Sequence, residues 1–108
     1  MKHIFVINPA AGQGKVLDFI RPKIEEVCQK YSLNCEIHVT EKAGEGIEYV
    51  RNKAATGEEI RFYACGWDGA LHEILNGAYG FENVEIGCFP MGTGNDYIRN
   101  FGKKHDFL

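Results

Sequence analysis

Gly66, Asp68 and Gly69 stand where this sequence has its clearest capacity for chemistry. They belong to the stretch Ala64-Cys-Gly-Trp-Asp-Gly-Ala-Leu-His-Glu-Ile-Leu-Asn-Gly77, which follows the apolar run Ile60-Arg-Phe-Tyr-Ala64. After the glycines, Leu71, Ile74, Leu75 and Ala78 recur at offsets of 0, 3, 4 and 7, one face of a helix. The stretch therefore reads strand, tight turn, helix. Gly66 and Gly69 permit backbone angles closed to other residues, and the first N–H groups of the helix have no partner within it. Free N–H groups and the helix dipole both favour an anion, and phosphate is the obvious one. A plain turn with Asp68 as N-cap fits the same residues.

The rest of the chain must position such a turn, and it does so by alternating strands and helices. Ile4-Phe-Val-Ile7 is a short apolar run that stops at Asn8-Pro9, because proline cannot donate to a strand ladder. Ala10-Ala-Gly-Gln-Gly14 forms a turn of small residues, and Leu17, Ile20, Ile24, Val27, Cys28 and Tyr31 then keep helical spacing. Pro22 either kinks this helix or stands in its first regular turn. Cys35-Glu-Ile-His-Val39 alternates with period 2 as far as Thr40, and Ile47, Val50 and Ala54 mark a shorter helix before Thr56-Gly57. Val84-Glu-Ile-Gly-Cys-Phe89 is a fourth strand, Pro90-Met-Gly-Thr-Gly94 another glycine turn, and Asn95 to Phe101 the expected start of a fourth helix.

Strands joined through helices pair in parallel with right-handed crossovers, so the expected fold is α/β, a three-layer sandwich with a mainly parallel, Rossmann-like sheet. Parallel strands all point one way. The turns at Asn8 to Gly14, Thr40 to Gly46, Gly66 to Gly69 and Pro90 to Gly94 should then gather on one edge, where open α/β sheets bind ligands.

Composition bounds what this edge can serve. With 108 residues, 44% hydrophobic and 25% charged, the chain suits one domain with a core of its own. A net charge of -3, with bases scattered among acids, leaves no broad basic face and argues against nucleic acid as a partner. Cys28, Cys35, Cys65 and Cys88 lie 7, 30 and 23 apart with no C-x-x-C, and are expected as four reduced, mostly buried thiols. The apolar run near Met1 is too short for a signal peptide or membrane span, which points to a cytoplasmic location.

Common nucleotide signatures fail. A Walker A loop ending at Gly14-Lys15 needs glycine at 9 and Ser or Thr at 16, where the chain has Pro9 and Val16. A dinucleotide G-x-G-x-x-G from Gly12 meets Leu17, and one from Gly92 meets Tyr97. No H-E-x-x-H, G-x-S-x-G or kinase H-R-D string occurs.

The set Asn8-Pro-Ala-Ala-Gly-Gln-Gly14, Thr40-Glu-Lys-Ala-Gly44, Gly66-x-Asp-Gly69 with His72-Glu73 and Asn76-Gly77, and Pro90-Met-Gly-Thr-Gly-Asn-Asp96 resembles the diacylglycerol kinase catalytic-domain family. That family includes bacterial lipid kinases and the sphingosine kinases. The resemblance spans nearly the whole chain and implies the nucleotide-binding, N-terminal domain of the lipid kinase fold. It places Asn8, Pro9, Ala10, Ala11, Gly12 and Thr40 around ATP, with Gly66, Trp67, Asp68, Gly69, Ala70, Leu71, His72 and Thr93 nearest its phosphates. Glycine-turn N–H groups can form a nest for phosphate oxygens, and the Thr40 and Thr93 hydroxyls can donate as well, each charge-assisted bond contributing about 1.5 to 3 kcal/mol. Asp68 and Asp96 are then expected to hold Mg2+ through water or to order the loops. His72 and Glu73, one turn into the helix, read as solvated.

The resemblance also implies a second, mostly β domain carrying the lipid pocket, further metal ligands and the carboxylate base. The partner it implies is a lipid alcohol such as diacylglycerol, met in transient contact with a membrane surface. No catalytic residue is assigned within this chain, which by itself is expected to lack kinase turnover and, with apolar surface uncovered, to self-associate as a homo-oligomer.

Two positions depart from the family's Gly-Gly-Asp-Gly-Thr turn, since this chain has Trp67 and Ala70. A left-handed angle at Trp67 costs about 1 to 2 kcal/mol, and Ala70 lacks the hydroxyl of threonine. A non-catalytic module working through protein contacts is therefore the alternative. An NAD kinase shares the Gly-Asp-Gly turn, but the Asn8-Pro9 and Gly92-Thr-Gly-Asn-Asp96 strings are the lipid-kinase versions.

Overall fold

The computed structural model describes residues 1–7, 13–42, 44–65, 68–89 and 99–103, and the side chains of all of these except 13–17, 68, 69 and 99–103. Eight elements follow in the order β1 (Lys2–Ile7), α1 (Gln13–Lys30), β2 (Asn34–Val39), α2 (Glu45–Ala54), β3 (Ile60–Cys65), α3 (Asp68–Ala78), β4 (Val84–Phe89) and β5 (Arg99–Lys103). They build a five-stranded sheet of order β2-β1-β3-β4-β5. The β1–β2, β1–β3 and β3–β4 pairs are parallel, and β5 runs antiparallel to β4.

The interior strand β1 is apolar because both of its faces are covered. Ile4, Phe5, Val6 and Ile7 are all fully buried, as a parallel strand between two helical layers requires. Successive side chains point to opposite faces, so the strand divides its residues between two cores. Ile4 and Val6 join Phe62, Ala64, Val84 and Ile86 against Val50 and Ala54 of α2 and Ile74 and Ala78 of α3. Phe5 and Ile7 join Tyr63, Cys65 and Phe89 against Ile20, Ile24 and Val27 of α1. The three-layer α/β/α expectation therefore holds.

Two expectations about the elements need correction, and a third is resolved. The fourth helix looked for over Asn95 to Phe101 does not form at its described end, because Arg99–Lys103 is β5. The open edge of β4 offers a row of unpaired backbone groups that β5 satisfies. The four cysteines are not all thiols, since Cys28 and Cys35 form a disulfide across a Cα separation of 6.3 Å. At the end of α1 the Leu33 N–H reaches the Cys28 carbonyl with Ser32 in the left-handed region, which turns the chain back into β2 and brings the two cysteines together. As for Pro22, α1 runs through it without ending. Pro22 and its neighbours Asp18, Phe19 and Arg21 face solvent, where water can serve the carbonyl that loses its partner.

Helices α2 and α3 approach closely where Gly77 lies. A Cβ on Gly77 would stand 2.6 Å from the Ile47 carbonyl oxygen and 2.8 Å from Val50 Cβ. Alanine has the better helix propensity by about 1 kcal/mol, but overpacking at such distances costs about 1 to 3 kcal/mol. Gly77→Ala is therefore expected to destabilise the chain by about 1 kcal/mol in urea denaturation. An unchanged or raised midpoint would show that the two helices do not meet at this residue.

Candidate functional site

The register fixes the site. Ile7 stands beside Val39 of β2 and Cys65 of β3, and Cys65 stands beside Phe89 of β4. All four parallel strands thus finish level, and the chain leaves each of them on the same edge. β1 leads by α1 to β2 on one side, whereas β3 lies on its other side, so the strand order reverses between β1 and β3. Ligands of open α/β sheets occupy the crevice outside such a reversal. α3 begins at Asp68, three residues after the last residue of β3, so its unpaired first-turn N–H groups open beside that crevice.

The turn between β2 and α2 is held from three sides. The Thr40 backbone N–H donates to the Ile7 carbonyl at 2.9 Å, and its hydroxyl donates to the same oxygen at 3.4 Å. Thr40 is buried, so its side chain ties β2 to the end of β1. The Glu45 carboxylate accepts the Glu41 N–H at 3.0 Å, closing the turn from within. From α3, Glu73 accepts the Gly44 N–H through Oε2 at 3.1 Å and the Gly46 N–H through Oε1 at 3.0 Å. Gly44 is the N-cap of α2, with φ of 87° and no side-chain cap of its own, so a carboxylate from the neighbouring helix supplies the cap.

Glu73 was expected in solvent, and this is corrected: it is 7% exposed and both its oxygens are engaged. The helical offset from Asp68 placed it one turn in, but its partners come from another turn of the chain, which periodicity cannot register. Gly46 is the matching signal, since a Cβ there would overlap Glu73 Oε1.

A polar cluster locks α2 onto β2 behind this turn. His38 stacks on Tyr49 at 3.6 Å between ring centroids and pairs with Glu45 at 2.7 Å, while the Tyr49 hydroxyl donates to Glu36 at 2.6 Å. Glu36 also lies 3.5 Å from both Lys2 and Lys53. The Tyr49 hydrogen bond, aided by the two lysines against a desolvation penalty, holds Glu36 below the ordinary carboxylate range. Burial and the Glu36 carboxylate push the Tyr49 phenol up. Burial pulls Glu45 upward, but hydrogen bonds from His38 and the Glu41 N–H leave it lowered.

Of the residues expected around a nucleotide, Thr40, Asp68, Gly69, Ala70, Leu71 and His72 lie at this edge, the last five in the first turns of α3. Ala70 is fully buried in the core, so what it can offer a ligand is backbone. Leu71 packs against the same core. His72 faces solvent, where Asn76 Nδ2 lies 3.2 Å from its Nε2. Cys65, just ahead of the glycine turn, is buried, which pushes its thiol well above the ordinary range and keeps it protonated. Asn8, Pro9, Ala10, Ala11, Gly12, Gly66, Trp67, Thr93 and Asp96 lie outside the described residues, as does the Asp68 carboxylate. Among the described residues no group of three or more His, Cys, Asp or Glu could hold a metal ion, so they do not by themselves fit a magnesium site. No described helix is long and apolar enough to cross a membrane.

A sequence profile of the diacylglycerol kinase catalytic domain matches residues 2–108. The chain belongs to that family. It is 29% identical over 101 residues to a diacylglycerol kinase of Bacillus subtilis (strain 168), a match covering 90% of this chain and 32% of the relative. With a diacylglycerol kinase of Staphylococcus carnosus (strain TM300) it shares 30% identity over 105 residues, covering 95% and 33% respectively. The fold is similar to that of a solved structure from Bacillus anthracis str. Sterne described as "a putative diacylglycerol kinase", with a TM-score of 0.61 and 23% identity over 88% of this chain and 34% of that one. The chain thus spans about a third of the length of these relatives.

The polar cluster makes a pH-dependent prediction. A group whose folded pKa is depressed contributes stability that is complete above its unfolded value and disappears as pH falls through the folded one. Tyr49→Phe removes the bond that lowers Glu36. Because the Glu36 side chain is 36% exposed, the expected loss is only about 0.5 to 1 kcal/mol at pH 7. The difference from wild type should hold above about pH 4.5, the ordinary value for this group, and close below it. Urea titrations at pH 7 and pH 3 that give the same difference would contradict this pairing.

Proposed function

We propose that the chain binds ATP at the carboxyl edge of its sheet and supplies the donor side of phosphoryl transfer to a lipid hydroxyl, such as that of diacylglycerol. The observation that carries the reading is the level finish of four parallel strands with the N-terminus of α3 opening beside the strand reversal. Membership of the diacylglycerol kinase catalytic-domain family supports it independently. In this reading the backbone N–H groups of Asp68, Gly69 and Ala70, with those of the Gly66 turn, take the phosphate oxygens. Helix N-termini favour such charge, and positioning and charge stabilisation are most of what phosphoryl transfer asks of a protein. Thr40, whose hydroxyl donates to the Ile7 carbonyl, contributes by ordering the end of β2 rather than by donating to phosphate, and the family resemblance adds Asn8 to Gly12 and Thr93.

In the transfer itself the lipid hydroxyl oxygen bonds to the γ-phosphorus as the bond from that phosphorus to ADP breaks, and the hydroxyl proton passes to a base. The family resemblance assigns that base and the lipid pocket to a second domain, so this chain is given no proton transfer. Mg2+ is given no step either, since the described residues gather no ligand set for it. Because the acceptor is a lipid, transient contact of the whole protein with a membrane surface belongs to the same proposal.

Titrating the 108-residue chain with Mg-ATP, followed by Trp67 fluorescence and by calorimetry, tests the reading. Saturable binding with one site is expected. Absence of binding at millimolar nucleotide would refute it and favour a module that acts through protein contacts.

A further inference from the structure

The Glu73 carboxylate is more than a cap. It is almost wholly buried, it projects from α3, and both of its oxygens are spent on backbone N–H groups of a different turn, those of Gly44 and Gly46. That turn follows Thr40, and α3 itself starts five residues before Glu73 at the edge proposed to hold phosphate. One side chain therefore ties α3 to the turn that leads into α2. It also takes one helix N-terminus at this edge, that of α2, out of reach of an incoming anion. The first N–H groups of α2 would favour a phosphate as much as those of α3 do, but a buried negative charge already occupies them. The absence of a Cβ at Gly46 is what admits the carboxylate, because the space a side chain would take is filled by Oε1 and by Thr40 Cγ2.

We infer that Glu73 is a positioning residue for the nucleotide. It holds the turn before α2 in the form that receives the ligand, and it closes the N-terminus of α2 to the ligand's anionic end, in keeping with the phosphate end placed above at α3. Glu73 touches no ligand in this account and acts through the amides of Gly44 and Gly46. The inference rests on the ATP reading of this edge.

The test compares the 108-residue chain with Glu73→Gln and Glu73→Ala. Glutamine keeps the volume but has one acceptor oxygen, so it must turn its amide N–H2 toward one of the two backbone N–H groups. Alanine vacates the space and leaves both N–H groups open, a gap that acetate can enter. ATP affinity is measured by calorimetry with and without 100 mM sodium acetate, against sodium chloride of equal ionic strength. Hydrogen exchange at the Gly44 and Gly46 amides is followed by NMR, and circular dichroism reports folding.

Glu73→Gln is expected to stay folded, to exchange faster at one of the two amides, and to bind ATP about tenfold more weakly. In Glu73→Ala acetate should restore several-fold of the lost affinity and slow exchange at both amides, whereas in wild type it should do neither. ATP affinity within twofold of wild type in Glu73→Gln, despite the faster exchange, overturns the inference. So does a folded Glu73→Ala whose ATP binding acetate leaves unchanged. If Glu73→Ala does not fold, Glu73→Gln alone decides. Wild-type chain that fails to bind ATP at all overturns the nucleotide reading itself, and the positioning role with it. Normal wild-type binding with an indifferent Glu73→Gln removes only the role of Glu73.

Discussion

Parallel pairing of β1 with β3 is the constraint on which this molecule depends. The register sets Lys2 beside Ile60 and Ile7 beside Cys65, so the two strands start and finish together. Their finish places the chain's exits at one edge, and the insertion of β1 between β2 and β3 creates the reversal that opens a crevice there. Shifting one strand by a single residue would turn its alternate side chains to the wrong core, taking Phe5 and Ile7 from the α1 side and Ile4 and Val6 from the α2 and α3 side. The site is therefore protected by the same packing that holds the fold.

The helices are not equal in what they add. α1 covers its face of the sheet through Ile20, Ile24 and Val27, with Cys28 packed beside them, and its end is stapled to β2 by the Cys28–Cys35 disulfide. α2 and α3 act as a pair. They touch backbone to backbone at Gly77, and the Glu73 carboxylate of one caps the other. The opposite end of the sheet has a different character. There His3, Arg61 and Glu85 stand side by side in register, Arg61 Nε donates to Glu85 Oε1 at 2.8 Å, and His3 shares a hydrogen bond with the Tyr63 hydroxyl. Among the described residues no helix begins at that end, so topology distinguishes the two edges.

Much of this was legible in the residues. Near-continuous apolar runs such as Ile4 to Ile7, separated by helical spacing, give away strands buried on both faces, and parallel topology follows from the crossover rule. Leu71, Ile74, Leu75 and Ala78 announced α3, because helical spacing is a local signal. The features that stayed hidden depend on a partner or on a backbone turn that no motif marks. Glu73 looks like any polar residue on a helix until the Gly44 and Gly46 amides are known to lie opposite. Arg99 to Lys103 carries no strand signal of its own and pairs because β4 has an unfilled edge. Cys28 and Cys35 share no motif and meet because the left-handed Ser32 reverses the chain.

The central claim is that anion binding belongs to one edge of the sheet. It is tested most directly by recording amide shifts of 15N-labelled chain as Mg-ATP is added. The account predicts large, saturable changes at Thr40 to Gly46 and at Asp68 to His72, with His3, Arg61 and Glu85 unmoved. Shifts confined to the His3 edge, or spread evenly over both, would contradict it.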